Sequence, residues 1–150
     1  MEKRNPRDWL CLKRTVRFGD TDAAGVVHFH ELFRWCHETW EESLEKYGIV
    51  LKEIFPTNQS STCQLDVALP IVQCEANYFQ PLYVGDNINI ELNPEKLNDS
   101  SFLLRFRLVK NGENIGSINI KHVSINPITR ETCALSKQIN FWLHESSLNF

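Results

Sequence analysis

Between His30 and Tyr47 the apolar residues Phe33, Cys36, Trp40, Leu44 and Tyr47 recur at intervals of three and four, while Glu31, Arg34, Glu38, Glu41, Glu42 and Glu45 fill much of the remainder. That period predicts an amphipathic helix. Gly48 supplies a left-handed stop, and Glu42 precedes Lys46 by four positions, the favourable order for an acid–base pair. Elsewhere the period is two. Cys11 to Phe18 reads as a first strand and Leu65 to Phe79 as a long extended segment, joined to the helix by a polar connection from Pro56 to Thr62. Ile88, Ile90 and Leu92 alternate with Asn87, Asn89 and Glu91 between Gly85-Asp86 and Asn93-Pro94, giving a half-buried strand. Phe102, Leu104, Phe106 and Leu108 alternate with Leu103, Arg105 and Arg107, and Lys110-Asn111-Gly112-Glu113 carries the Asn-Gly pair favoured in tight hairpins. The return strand runs from Asn114 to Ile125, and the loop Asn126–Thr132 leads to a last predicted strand near Lys137 to Leu143.

One strand, a long helix and then four or five antiparallel strands bury the helix only if the sheet curls around it, so the order predicts an α+β domain. With 150 residues and neither repeat nor linker, one domain over 1–150 is expected, its ends mobile. Edge strands and one sheet face stay uncovered, which predicts a homo-oligomer, dimer or tetramer. A hydrophobic content of 42% with 23% charged residues is that of an ordinary globular protein, and a formal charge of −3 argues against nucleic acid as the main partner. Arg105, Arg107 and Lys110 could still meet phosphates locally. The start Met1-Glu2-Lys3-Arg4-Asn5-Pro6 lacks the apolar run of a secretory signal, and no segment has the roughly 18 apolar residues of a membrane span, so a soluble cytoplasmic protein is expected. Cysteines at 11, 36, 63, 74 and 133 form no C-x-x-C pair and are odd in number, which predicts reduced thiols.

The chemistry concentrates before the helix, in Arg17-Phe18-Gly19-Asp20-Thr21-Asp22-Ala23-Ala24-Gly25-Val26-Val27-His28-Phe29. Two carboxylates sit among turn formers, and Ala23, Ala24 and Gly25 leave the backbone uncovered for a ligand. The helix's unpaired N-terminal amides, near Phe29, would face them and stabilise an anion or a developing oxyanion. The plain alternative is an acidic turn whose side chains bond local amides.

These residues, from Phe18 to Val27, resemble the signature of hotdog-fold acyl-CoA thioesterases of the 4-hydroxybenzoyl-CoA type. The likeness extends through the central helix, through Cys74-Glu75-Ala76-Asn77-Tyr78-Phe79-Gln80-Pro81-Leu82-Tyr83-Val84-Gly85-Asp86 and on to residue 145. Within that family, Asp-Thr-Asp-Ala-Ala-Gly-Val-Val followed by Cys36-His37-Glu38-Thr39-Trp40-Glu41-Glu42-Ser43-Leu44 is most similar to 1,4-dihydroxy-2-naphthoyl-CoA hydrolases of phylloquinone biosynthesis. The resemblance implies a hotdog fold whose sheet wraps the long helix, acting as a dimer with interfacial active sites and commonly as a tetramer. It makes Asp22 the catalytic carboxylate, either nucleophile or general base, and Phe29 N–H the donor that polarises the thioester oxygen, with Gly25 keeping the approach open. No metal is required, and there is no separate cofactor, because coenzyme A is part of the substrate. Where some members carry a helper His this chain has Phe29, and His28 lies one position earlier; it either contacts an aromatic hydroxyl of the substrate or simply packs near the helix start. Coenzyme A contacts follow no short motif, leaving Arg105, Lys121, Ser124 and Arg130 as candidates. The same chemistry on 4-hydroxybenzoyl-CoA, fatty acyl-CoA or acyl carrier protein is the nearer alternative, and a non-catalytic acyl-CoA-binding protein the more distant one.

Other constellations carry less. Cys36 and His37 are adjacent on a helix and diverge by about 100°, so they form no dyad. His28 and His30 complete no metal set, and Glu38 and Glu41 read as solvated charges. Trp40 belongs to the apolar stripe, leaving Trp35 as the freer candidate to line a pocket for a flat aromatic acyl group.

Overall fold

The computed structural model describes residues 3–57 and 65–148, so most of the predicted Pro56–Thr62 connection, and Cys63, lie outside the described residues. Its elements are α1 (Arg7–Leu10), β1 (Cys11–Thr15), α2 (Phe29–Tyr47), β2 (Ile71–Tyr78), β3 (Asn87–Asn98), β4 (Ser101–Lys110), β5 (Glu113–Val123) and α3 (Lys137–Glu145). The five strands form one antiparallel sheet in the order β1-β3-β4-β5-β2, with α2 packed on one face. This is the α+β arrangement expected, a sheet curled around a long helix.

The alternation decides which face does the burying. Ile88, Ile90 and Leu92 of β3, Phe102, Leu104, Phe106 and Leu108 of β4, and Ile118 and Ile120 of β5 all turn inward and are buried. The opposite face keeps its charges paired across strands, Arg107 with Glu91 and Arg105 with Glu95 at 2.7 Å. Asn111 and Gly112 both adopt positive φ, +51° and +78°, as a two-residue hairpin turn of this hand requires.

Helix α2 presents a wider buried face than its apolar period predicts. Leu32, Trp35, Cys36, Trp40 and Leu44 are buried together with Thr39 and Ser43, whereas Phe33 and Tyr47 are only half-buried. The two hydroxyls tolerate burial because each is satisfied: Thr39 donates to the Trp35 carbonyl at 2.7 Å, and Ser43 accepts from the Trp142 indole at 3.2 Å. A period counted on apolar residues alone cannot see them.

Four boundaries are corrected. The first strand stops at Thr15, and Val16 instead pairs with the loop ahead of β3, donating to the Asp86 carbonyl and accepting from Gly85 N–H. β2 begins at Ile71 rather than Leu65; Pro70 just before it has no N–H to give a ladder, and Ala68 meets Ile125 only as an isolated bridge. β3 runs on through Pro94 to Asn98, because β1 stops pairing at Glu91 and leaves an open edge where a missing N–H is tolerated. The predicted strand near Lys137–Leu143 is helix α3. Ser136 caps it by accepting from Ile139 N–H, and Ile139, Trp142 and Leu143 form an i, i+3, i+4 buried stripe.

Candidate active site

Two short bridges fold the acidic loop into a tight hairpin. Thr21 pairs with Val27 and Val26 with Tyr83, while Val27 N–H donates to the Leu82 carbonyl at 2.9 Å. Asp22 sits at the hairpin's tip: its N–H donates to the Val26 carbonyl at 2.8 Å and its own carbonyl accepts from Gly25 N–H at 3.0 Å. Gly25 has φ +81°, yet a Cβ there would meet nothing within 4 Å. The turn's handedness, not crowding, calls for glycine.

The two carboxylates of the loop are in opposite situations. Asp20 is only 4% exposed, and both of its oxygens are engaged, Oδ2 by Arg17 N–H at 2.8 Å and Oδ1 by the Arg34 guanidinium at 2.9 Å and the Trp35 indole at 3.4 Å. Asp22 is exposed. Its Oδ1 accepts from Ala24 N–H at 2.8 Å and more distantly from Val26 N–H, which fixes the plane of the group, while Oδ2 has no hydrogen-bond partner among the described residues. An oriented carboxylate with one open oxygen can take a proton from water or attack a carbonyl.

Helix α2 starts at Phe29, three residues after Val26, the last residue whose amide bonds Asp22. His28 is its cap, held extended by its N–H bond to the Asp20 carbonyl at 3.1 Å, and its Nδ1 accepts from His30 N–H at 3.4 Å. The His28 and His30 imidazoles also meet directly through their Nδ1 atoms. Phe29 N–H has no acceptor among the described residues, as expected at a helix start, and the Phe29 side chain is 63% exposed. The loop therefore presents an open carboxylate oxygen and, at the start of the next element, an open backbone donor.

Trp35 does not line a pocket within the protomer. It is fully buried, like Trp40, with its ring under the Arg14 guanidinium at 4.9 Å. Cys36 is likewise sealed in the core, and burial pushes its thiol well above the ordinary range, which removes it as a nucleophile. Of the proposed coenzyme A contacts, Ser124 is fully buried and donates to the Ala134 carbonyl, so it offers nothing to a ligand; Arg105 is paired with Glu95, Lys121 lines a groove of about 200 Å³ on the outer sheet face, and Arg130 lies exposed in the loop before α3. A groove of about 910 Å³ runs beside β1 past Lys13, Arg14 and Arg17 and is not lined by Asp22 or Phe29. Sequence reasoning took Asp20 for a turn former and gave Arg34 no role; their link spans fourteen positions, which no local pattern reports.

With this geometry in view, the thioesterase-like superfamily model matches residues 16–143. The chain belongs to the thioesterase-like superfamily. It is 82% identical over its whole length to the 1,4-dihydroxy-2-naphthoyl-CoA hydrolase of Prochlorococcus marinus (strain NATL1A), covering all of both chains, and 50% identical over 96% of its length to that of strain MIT 9303, of which it covers 95%. A crystal structure from Prochlorococcus marinus strain MIT 9313 superimposes with a TM-score of 0.92 at 49% identity, over 96% of this chain and all of that one. A 1,4-dihydroxy-2-naphthoyl-CoA thioesterase from Synechocystis shares the fold, with a TM-score of 0.80 at 23% identity over 90% and 95% of the two chains. The sheet-around-helix architecture of this superfamily member is thus the hotdog fold.

Proposed function

We propose that this protein hydrolyses 1,4-dihydroxy-2-naphthoyl-CoA to 1,4-dihydroxy-2-naphthoate and coenzyme A, in the cytoplasm, as a step of phylloquinone biosynthesis. The substrate rests on the full-length likeness to hydrolases of that name. The observation that carries the mechanism is the contrast between the two loop carboxylates, one saturated and one with a free oxygen.

In this scheme the thioester carbonyl oxygen accepts from Phe29 N–H, where the helix-end dipole favours negative charge. Asp22 Oδ2 then either removes a proton from an attacking water or adds to the carbonyl carbon to give a mixed anhydride that water opens. Each route passes through a tetrahedral oxyanion and expels the thiolate. A thiol of pKa about 8.5 leaves without a strong acid, so no further proton donor is demanded. The scheme uses no metal and no cofactor besides the coenzyme A of the substrate. Gly25 keeps the turn open, and His28, the cap of the helix start, would either contact an aromatic hydroxyl of the substrate or simply pack there.

The acting unit in this reading is a homodimer, two of which form a tetramer. β2 has no strand on its outer edge among the described residues, and Ile71, Val72 and Phe79 around it are exposed apolar residues that a second copy would cover. The test is thiol release from 1,4-dihydroxy-2-naphthoyl-CoA, 4-hydroxybenzoyl-CoA and palmitoyl-CoA by wild type and Asp22→Asn. Preference for the naphthoyl ester that disappears in the variant supports substrate and carboxylate together; undiminished turnover by Asp22→Asn sinks the mechanism. In a single turnover in ¹⁸O-water, label in Asp22 with an unlabelled product identifies an anhydride opened at the Asp22 carboxyl carbon, whereas general-base catalysis puts the label in the product alone.

A further inference from the structure

Asp20 holds three separate pieces of the site at once. Its side chain takes the N–H of Arg17 where the loop begins, its backbone carbonyl takes the N–H of His28 where the loop ends, and its other carboxylate oxygen takes Arg34 and Trp35 from the second turn of α2. The segment enclosed between those points carries Asp22, and the next residue after it carries the open Phe29 N–H. Arg34 is in turn fixed from its own helix, by Glu31 at 2.6 Å and Glu38 at 3.0 Å, and Glu38 is tied to Arg14 of β1 at 2.8 Å. A charge is thus buried at the root of the loop, and the proposed chemistry does not consume it. Asp20 is the buried member of this pair and Arg34 the half-exposed one, and loss of Arg34 alone would leave the Asp20 charge short of a partner.

We propose that Asp20, clamped by Arg34, is a positioning residue: it sets where Asp22 Oδ2 and the Phe29 N–H stand relative to each other. This rests on the reading of Asp22 as the catalytic carboxylate. Asparagine at position 20 keeps one acceptor oxygen but turns the other into an N–H₂ group, so it cannot serve Arg17 on one side and Arg34 with Trp35 on the other. Glutamine at position 34 removes the clamp from outside the loop, at a side chain that is about half exposed and so adds little to core packing.

The experiment is steady-state hydrolysis of 1,4-dihydroxy-2-naphthoyl-CoA by wild type, Asp20→Asn, Arg34→Gln, Arg34→Lys, the Asp20→Asn/Arg34→Gln double variant and Asp22→Asn, with kcat expressed per folded molecule from circular dichroism. Misplacing a reacting group by a fraction of an ångström to an ångström reduces kcat by roughly tenfold or more, so Asp20→Asn is expected to lose at least that while KM stays within about threefold. Arg34→Gln loses about three- to tenfold in kcat, and Arg34→Lys recovers part of it. The double variant is no slower than Asp20→Asn beyond about twofold, because both changes release one clamp. A purely structural role would lower the folded fraction or the melting temperature and leave kcat per folded molecule intact. Folded Asp20→Asn with wild-type kcat, or losses that multiply in the double variant, overturns the inference; if Asp20→Asn fails to fold, wild-type kcat in Arg34→Gln does so. An inactive Asp22→Asn beside fully active Asp20→Asn and Arg34→Gln removes only the clamp, whereas an active Asp22→Asn removes the site reading itself.

Discussion

At the C-terminal end of α2 the carbonyls of Leu44, Glu45, Lys46 and Tyr47 all accept hydrogen bonds, from Gly48, Ile49 and both arms of the Arg4 guanidinium. At the N-terminal end, nineteen residues away, Phe29 N–H has no acceptor among the described residues, and Asp22 of the preceding loop keeps an oxygen without a partner among them. Both ends belong to one helix and carry leftover backbone groups, N–H donors at the start and carbonyl acceptors at the end. A chain that seals one end with a glycine and an arginine and leaves the other open has placed its reactive polarity at the open end. The middle of the helix sides with the sealed end: Trp40 and His37 pack on His122, and Thr39 and Ser43 are both satisfied.

The comparison breaks most sharply at Asp22. Asp22→Asn lies at an exposed tip, so it leaves melting nearly unchanged while lowering kcat by about 10³, the scale of a lost base or nucleophile. Thiol release measured beside a thermal melt separates the two effects. A melt that falls along with kcat would mean that the tip belongs to the sealed part of the molecule.

Acid should break the sealed part before it breaks the loop's geometry. His122 is 1% exposed, stacked on Phe102 and against Trp40, with its Nδ1 at 2.9 Å from the Leu69 carbonyl, and burial above all holds its pKa down to about 4 from the ordinary 6.5. Between those values the unfolded chain binds a proton that the folded chain refuses, so unfolding free energy falls as pH drops from about 6.5 towards 4 and levels off below. The contribution is up to roughly 3 kcal/mol. Denaturant titrations at pH 7 and 4.5 on wild type and His122→Phe check it; the variant keeps the aromatic stack and should show a flatter pH dependence. Equal slopes would show that other groups carry the acid sensitivity.

What the sequence disclosed follows the same division between local and distant signals. Gly48 as the stop of α2, with φ +118°, the Asn111-Gly112 hairpin and the Asp22 turn were all legible, since each is written in four or five adjacent residues. Helix α3 was not: Ile139, Phe141, Trp142 and Leu143 make a short apolar run that fits a strand as well as a helix, and only the cap at Ser136 and the inward face of Trp142 decide it. Trp35 looked free because five positions separate it from Trp40, yet the face that α2 buries is wide enough to take both. The clamp on Asp20 was invisible for the opposite reason. It depends on where the loop's root meets the second turn of α2, a tertiary fact.

Gly48→Ala probes the glycine half of the seal. Its φ lies where a Cβ is strained, although no neighbour stands within 4 Å, so the loss is conformational and amounts to about 1 kcal/mol. For a chain of this size that is a fall of about 2–4 °C in Tm. kcat and KM should not move, because the strain lies at the far end of the helix from Asp22; a drop in kcat per folded molecule would show that the two ends communicate.

Arg4 probes the other half, with the smallest effect. Its guanidinium bonds the Tyr47 carbonyl at 2.7 Å and the Lys46 carbonyl at 2.9 Å and rests on the rings of Trp9 and Tyr47 at 4.9 and 5.2 Å. The guanidinium itself is exposed, and hydrogen bonds and cation–π contacts made by such a group each contribute a fraction of a kcal/mol to about 1. Arg4→Ala should therefore lower stability by about 1 kcal/mol, and Arg4→Lys by about half as much, since an ammonium retains the charge near the helix C-terminus but not the planar fork that reaches two carbonyls. Urea unfolding of the three proteins in low and high salt distinguishes the contributions. If the dipole interaction dominates, Lys matches Arg and salt erases the difference from Ala; if the fork dominates, Lys falls short of Arg in both salts, and the seal is a matter of shape rather than charge.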